Sequence, residues 1–374
     1  MGQIHLQWND AAVVNHFRTG VSLHSHTLHS RETLDFIYCA AARAPILSAV
    51  IRRGEQRYRQ VHGTALDLSR GWWTPPLGPH DAWLVEKSQI EGLGRDALVS
   101  LTDHDDIEAP VSLQLLDECR GTPISFEWTV PYGPTFFHLG IHNLPAAQAR
   151  PMFSRMRTYT LAPEPPALAG ILADAAAIDE TLVVFNHPLW DEKGIGQAAH
   201  RGAVGEFLRR FPASLHALEL NGLRPWRENR EVIALAEAVR KPPISGGDRH
   251  AVEPNANVNV TNAATFAEFA AEVREGWSDV LILKQYREPY ALRILQNMMD
   301  VLHTYEQHAK GWRLWSDRVF YACDDGLVRS LTELFGRGTP APVSVFVNVL
   351  RLASLPGVRR LLRGAFPGAG EVAP

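Results

Sequence analysis

Between residue 21 and about residue 285, short apolar runs alternate with longer stretches of helical period. The runs are Val21–Leu23, Ala97–Leu101, Ile124–Trp128, Phe136–Ile141, Leu182–Phe185, Leu215–Leu220 and Ile244–Ser245. Their length and apolar character predict buried strands. Val111–Cys119, Ala167–Ile178, Gly205–Phe211 and Glu228–Arg240 carry helical patterns between them. Such alternation predicts an α/β fold with a mostly parallel sheet and helical crossovers. The number of units favours a closed (β/α) barrel over an open sheet.

Two segments break the rhythm. Across residues 40–95 a basic helical stretch, Ile46–Gln60, leads into the aromatic, proline-rich RGWWTPPLGPHDAW. We read this as an insertion after the first strand, lying over one barrel end. Past residue 285 the strands are expected to stop. Ala291, Ile294, Leu295, Met298, Leu302 and Tyr305 share one helical face, so residues 286–374 are expected to form a helical extension beside a domain of residues 1–285. Within it, residues 344–366 carry Arg351, Arg359, Arg360 and Arg363 and no acid, and Pro356–Gly357 split the helix in two. This tail is expected to dock on its own domain or a second copy. The alternative is peripheral contact with an anionic membrane.

Composition narrows the class. Of 374 residues, 45% are hydrophobic and 21% charged, as in a soluble globular protein. A net charge of −4 argues against a general nucleic-acid binder. Cys39, Cys119 and Cys323 are too few and too scattered for a disulfide framework or a zinc ribbon, which points to a reducing cytoplasm. The start, MGQIHLQWND, lacks signal-peptide order, and no apolar run reaches membrane-spanning length.

The 16 histidines carry more information by place than by number. Nearly every predicted strand runs into a potential metal ligand. LHSHTLHS holds His24, His26 and His29, and LTDHDD holds Asp103, His104 and Asp105. SFEW holds Glu127, FFHLGIH holds His138 and His142, FNHP holds His187, and SGGDRH holds Asp248 and His250. Loops at the carboxyl ends of parallel strands gather at one rim, so these groups are expected to converge. In His-X-His on an extended segment both imidazoles face the same side. Imidazole with carboxylate suits zinc, manganese or iron. Any one of these motifs alone reads as a polar rim or a capped turn. His142, His200, His216, His303 and His308 are left to packing roles.

As a set, LHSHT, LTDHDD, SFEW with FFHLG, FNHP and GGDRH resemble the motifs of the PHP family, the polymerase and histidinol phosphatase domain, across residues 20–262. The resemblance implies a distorted (β/α)7 TIM-like barrel holding two or three divalent metal ions, zinc, manganese or iron, and phosphoester hydrolysis as the activity. Carried over, His24, His26, Glu127 and Asp248 would hold one ion. Glu127 would bridge to a second, shared with His104, and His138, His187 and His250 would hold a third. The family places a further Asp or His seven or eight residues after the first histidine. Arg31 and Glu32 stand there, so Glu32 is the expected replacement and His29 lines the pocket.

The expected function is a metal-dependent phosphoesterase acting on a phosphorylated small molecule, a nucleotide or a short nucleic acid. Glu127 and Asp248 would set the charge of the cluster, and Asp103 would orient an imidazole. Arg31 and Arg249 are the expected phosphate-binding residues, ahead of Arg224 and Lys193. Trp72, Trp73 and Trp83 are expected to pack the insertion against the barrel. Two alternatives stay open. One is amidohydrolase-like hydrolysis of a non-phosphate substrate, which commonly uses a modified lysine that the stretches 9–86 and 88–192 lack. The other is a non-catalytic PHP-like structural module.

Overall fold

Two five-stranded sheets lie at the centre of the fold in a computed structural model, which describes residues 2–34, 67–336 and 341–365 and positions 48, 49, 52, 53, 55, 56, 59, 60 and 63 between them. In chain order the strands are β1 (Ile4–Leu6), β2 (Thr19–Leu23), β3 (Glu32–Thr33), β4 (Gly71–Trp73), β5 (Asp96–Ser100), β6 (Ile124–Tyr132) and β7 (Thr135–Leu144). They continue with β8 (Leu182–Phe185), β9 (Ala217–Asn221), β10 (Pro243–Gly246), β11 (Asn257–Thr261), β12 (Asp279–Ile282), β13 (Val319–Ala322) and β14 (Val328–Ser330). One sheet has the order β1-β12-β11-β2-β5 and the other β10-β9-β8-β7-β6. A third, small sheet runs β14-β13-β4-β3.

The apolar runs are continuous because both faces of these strands are covered. On β8, Val183 and Phe185 face the helices, packing in one core with Phe137, Phe207 and Leu218. Leu182 and Val184 face the other way and meet Val21, Leu23, Ala217 and Ile244 in a separate apolar layer. Burying each such side chain contributes about 1.5–3 kcal/mol relative to exposure. The ladders leave two separate sheets, joined by two single bridges: Ser25 to Arg249 and His104 to Glu127. Both bridges lie in segments that carry predicted ligands.

Four expectations are corrected. First, the sheet is mixed, because β6 and β7 pair antiparallel. Only Gly133 and Pro134 link them, with Gly133 at φ 55°, and a crossover needs a dozen residues or more. Second, the span read as an insertion contains the helix Pro79–Gly92, which packs between the parallel pair β2 and β5 as their crossover. Its Trp83 is buried against Val99 and Leu101. The predicted stretch Ile46–Gln60 lies largely outside the described residues. Third, strands do not stop at residue 285: β13 and β14 lie in the extension, and β13 pairs with β4. Fourth, the helix after residue 285 is Tyr290–Val301, and it buries Leu292 rather than the exposed Ala291.

The tail breaks where proline requires it, into Ala341–Ala353 and Pro356–Ala365. Arg363 pairs with Glu288 at 2.9 Å, and Arg359 donates to Gln296, so the tail lies on the helix Tyr290–Val301. No helix among the described residues is long and apolar enough to cross a membrane.

Candidate metal centre

The segments following β2, β5 and β10 meet side chains of β6, β7 and β9 and the loop after β8 where the two sheets touch. His24, His26, Glu127, His138, His187 and Asp248 are all buried there. Glu32, His104 and His250 border them and are partly exposed. The backbone is unusual at this place. Six non-glycine residues among those described have positive φ, and four belong here: His24 (62°), Asp105 (46°), His187 (26°) and Asp248 (54°). Each such conformation costs on the order of 1–3 kcal/mol, and such strain clusters at functional sites. The glycines of SGGD are also required. A Cβ on Gly246 would lie 1.7 Å from Glu219, and one on Gly247 would lie 1.5 Å from Asn255.

Glu127, on β6, is the geometric centre. Its Oε2 lies 3.1 Å from His24 Nε2, 3.4 Å from His26 Nε2 and 3.1 Å from His104 Nδ1. Its Oε1 lies 3.3 Å from His187 Nε2 and 3.6 Å from His138 Nδ1, and accepts a hydrogen bond from Asn186. Asp248 Oδ1 stands 3.6 Å from His24 Nε2 and 3.5 Å from His26 Nε2. Glu32 Oε2 stands 3.4 Å from His104 Nε2 and 3.2 Å from His250 Nε2.

Donor atoms therefore fall into overlapping groups, each within 4.8 Å: His26, Glu32, His104 and His250; His24, His26 and Asp248; His24, Glu127 and His187; His104, Glu127 and His138. His24 Nε2, His26 Nε2 and Glu127 Oε2 are buried and make no hydrogen bond. Buried polar atoms without partners are rare and need an explanation. Lone pairs converging from imidazole and carboxylate are what divalent transition metals take, so the residues fit such ions.

A surrounding set of groups fixes the imidazoles. His24 Nδ1 hydrogen-bonds to Glu219, which also accepts from the His187 backbone N–H at 2.7 Å. His250 Nδ1 donates to the Asp248 carbonyl at 2.8 Å. With Nδ1 occupied, Nε2 is in each case the nitrogen that faces inward and that offers its lone pair once deprotonated. Asn221 donates to both Glu219 and Asp248 at 3.2 Å. Sequence reasoning passed over Glu219 and Asn221. The signal available was an acid inside the apolar strand ALELN, where a charge is costly unless it has a partner.

Electrostatics follow the same geometry. Burial is the largest influence on each group and opposes charge. Glu127, Glu32 and Asp248 are nevertheless held well below the carboxylate range by the imidazoles around them. Burial would lower His24, but Glu127, Glu219 and Asp248 raise it well above its ordinary value; Glu32 and Glu127 do the same for His104. His26 goes the other way, lowered to about 3 by burial and by His250. Protonated His24 and His104 thus supply the positive charge that cations would replace. A cation needs their lone pairs, so loading should release protons, and affinity should rise with pH through and above 6.5. Calorimetry in two buffers of different ionisation enthalpy checks this; buffer-independent heats at pH 7 would contradict it.

The predicted residues do not all keep their roles. Glu32 lies beside His104 and His250. His250 does not join His138 and His187. Its ring stacks on His26 at 4.1 Å, and it pairs with Glu32 and His104. The left-handed turn at Asp248 sets this direction. Among the described residues the Asp103 carboxylate is bonded to Thr27 and not to an imidazole. It accepts from the Thr27 N–H and, at 2.7 Å, from the Thr27 hydroxyl, tying the His24–His26 loop to the His104 loop. Arg249 points away from the centre. It is 2% exposed, and its Nε donates to Glu86 Oε1 at 2.6 Å beneath the loop. Arg31 is exposed over the Trp72 ring. Arg224, ranked lower from sequence, has its guanidinium beside Asp248. It lies 3.6 Å over the Trp190 ring, with Nη2 at 3.7 Å from Asp248 and Nε buried without a partner. Glu192 stands 3.7 Å from His138 on the same side. His29 falls in none of the donor groups among the described residues.

No protein-family model and no curated protein matches the chain. Among solved structures it is similar to PsfC from Pseudomonas syringae, at 13% identity over 76% of this chain and 97% of that one, with a TM-score of 0.37. It is also similar to an amidohydrolase from Chromobacterium violaceum with bound sulfate and no metal, at 17% identity, 48% and 84% coverage and a TM-score of 0.33. A two-domain protein from Bacteroides vulgatus, containing a predicted PHP-like metal-dependent phosphoesterase, is similar at 14% identity, 54% and 60% coverage and a TM-score of 0.37. TM-scores of this size do not establish a shared fold.

Proposed function

We propose that the chain is a metal-dependent hydrolase of phosphate esters with three cation positions. The observation that carries this reading is Glu127: one fully buried carboxylate whose two oxygens face different imidazole sets. On this reading His24, His26 and Asp248 with Glu127 hold one ion, Glu127 with His138 and His187 a second, and Glu32, His104 and His250 a third. Such ions, when bound, lower the pKa of a coordinated water toward ~7 and screen phosphate oxygens. The chain's own residues do the rest. Glu127 keeps two positions adjacent. Glu219 and the Asp248 carbonyl hold the Nδ1 protons of His24 and His250, so Nε2 remains the ligand. Asn186 and Asn221 orient the carboxylates. Arg224, held over the Trp190 ring, presents a guanidinium suited to an anionic oxygen. The two single bridges are read as the seams of one seven-stranded layer made of β2 and β5 to β10.

Two measurements test the proposal. Metal-free protein reloaded with manganese or zinc should hydrolyse members of a phosphomonoester and phosphodiester panel, and chelation should abolish the activity. Turnover of amide or lactone substrates alone would replace this reading with amidohydrolase-like chemistry. Arg224→Met should keep metal content and weaken inhibition by inorganic phosphate by roughly 10- to 100-fold, the size of one charged hydrogen bond of ~1.5–3 kcal/mol. Unchanged phosphate inhibition would remove Arg224 from substrate binding.

A further inference from the structure

The small sheet joins three parts of the chain that are distant in sequence. β3 carries Glu32, β4 lies within the span read as an insertion, and β13 and β14 belong to the extension. The register is direct: Glu32 pairs with Trp73, and Trp73 pairs with Val319. Thr33 pairs with Trp72, and Trp72 pairs with Phe320, whose ring stacks on it at 5.7 Å. The strand bearing Glu32 is two residues long, too short to hold its own position. Its ladder neighbour is β4, and β4 is held in turn by β13.

The anchor of β13 is Arg318. It is 1% exposed, and its carbonyl accepts from the Thr74 N–H at 2.9 Å, next to β4. Its Nη2 donates to the carbonyls of Val301 and His303 at 2.6 and 3.0 Å. Its Nη1 donates to those of Trp312, Arg313 and Leu314 at 3.0–3.3 Å. One side chain thus fastens the end of the helix Tyr290–Val301, the loop after it and β13 together. Trp73 also borders the centre, with its ring 5.9 Å from that of His250.

We infer that the extension positions Glu32, and through it the cation site of Glu32, His104 and His250, so that this one site depends on residues 301–330 while the other two do not. The inference rests on the three-cation reading above. Arg318 and Phe320 are positioning residues, acting through β13 and β4.

The test uses full-length, metal-free protein titrated with manganese(II), together with amide hydrogen exchange before loading. Wild type should bind three ions, and Glu32→Gln should lose one of them. Arg318→Met and Phe320→Ala should each bind that same ion at least tenfold more weakly and leave the other two unchanged. Amide exchange over residues 31–34 should quicken at least tenfold in both variants, with β2 unaffected. If Arg318→Met does not fold, Phe320→Ala, which spares the carbonyl cage, decides. Three wild-type-like affinities and unchanged exchange would overturn the inference. Should wild type bind fewer than three ions, the three-cation reading fails by itself. The exchange arm then decides the role of the extension: unchanged rates at residues 31–34 overturn it.

Discussion

Glu127→Gln should cost the centre two of its cations at once. The change keeps the shape of the side chain and removes the charge that His24, His26, His104, His138 and His187 have in common within 3.6 Å. Removing one partner from a buried, charge-paired set costs about 3–5 kcal/mol. That corresponds to roughly 10²- to 10⁴-fold in affinity. Manganese titration should show two weakened sites, where Glu32→Gln shows one. Hydrolysis should fall by at least the same factor. Full occupancy with wild-type turnover in Glu127→Gln would remove Glu127 as the shared ligand.

Arg249→Met should destabilise the fold rather than weaken substrate binding. Glu86, on the crossover helix, is 0% exposed. It accepts from Arg249 Nε, from Ser22 and Ser25 hydroxyls and from the Asn255 backbone. Without the guanidinium, a buried carboxylate keeps only neutral donors. The expected loss is again about 3–5 kcal/mol, read as a lower midpoint in denaturant. Metal content per folded chain and KM should stay near wild type. A raised KM at unchanged stability would return Arg249 to the substrate, where sequence reasoning placed it. From the motif alone an arginine beside two ligands looks like a phosphate contact. Whether it points up to the centre or down to Glu86 depends on the backbone turn at Asp248, which no spacing rule encodes.

Several features were legible because they depend on local pattern. Continuous apolar runs marked β5, β6, β7, β8, β9 and β10, since both faces of each are covered. His-X-His, TDHD, FNHP and GGDRH marked the candidate ligands, because acids and imidazoles at strand ends have few other reasons to gather. Pro356 marked the break in the tail. The strands β11 and β12 were missed. Asn257 and Asn259 on β11 are fully buried and serve as hydrogen-bond donors to the Leu220, Val21 and Ser245 carbonyls, so no apolar run announces the strand.

The sequence by itself determined which residue types stand at the strand ends, Glu32 among them. Tertiary structure alone decided their partition. His250 turned to Glu32 and His104, because a left-handed residue at Asp248 redirects the chain after it. Asp103 went to Thr27, and Arg224 came forward in place of Arg249. Tertiary structure also decided that the insertion and the extension share a sheet with Glu32, since β-ladders pair segments without regard to their separation in sequence. Local pattern records what a residue can do. Which partner it meets depends on long-range packing, where a buried charge must find its counterpart or make the arrangement too costly to keep.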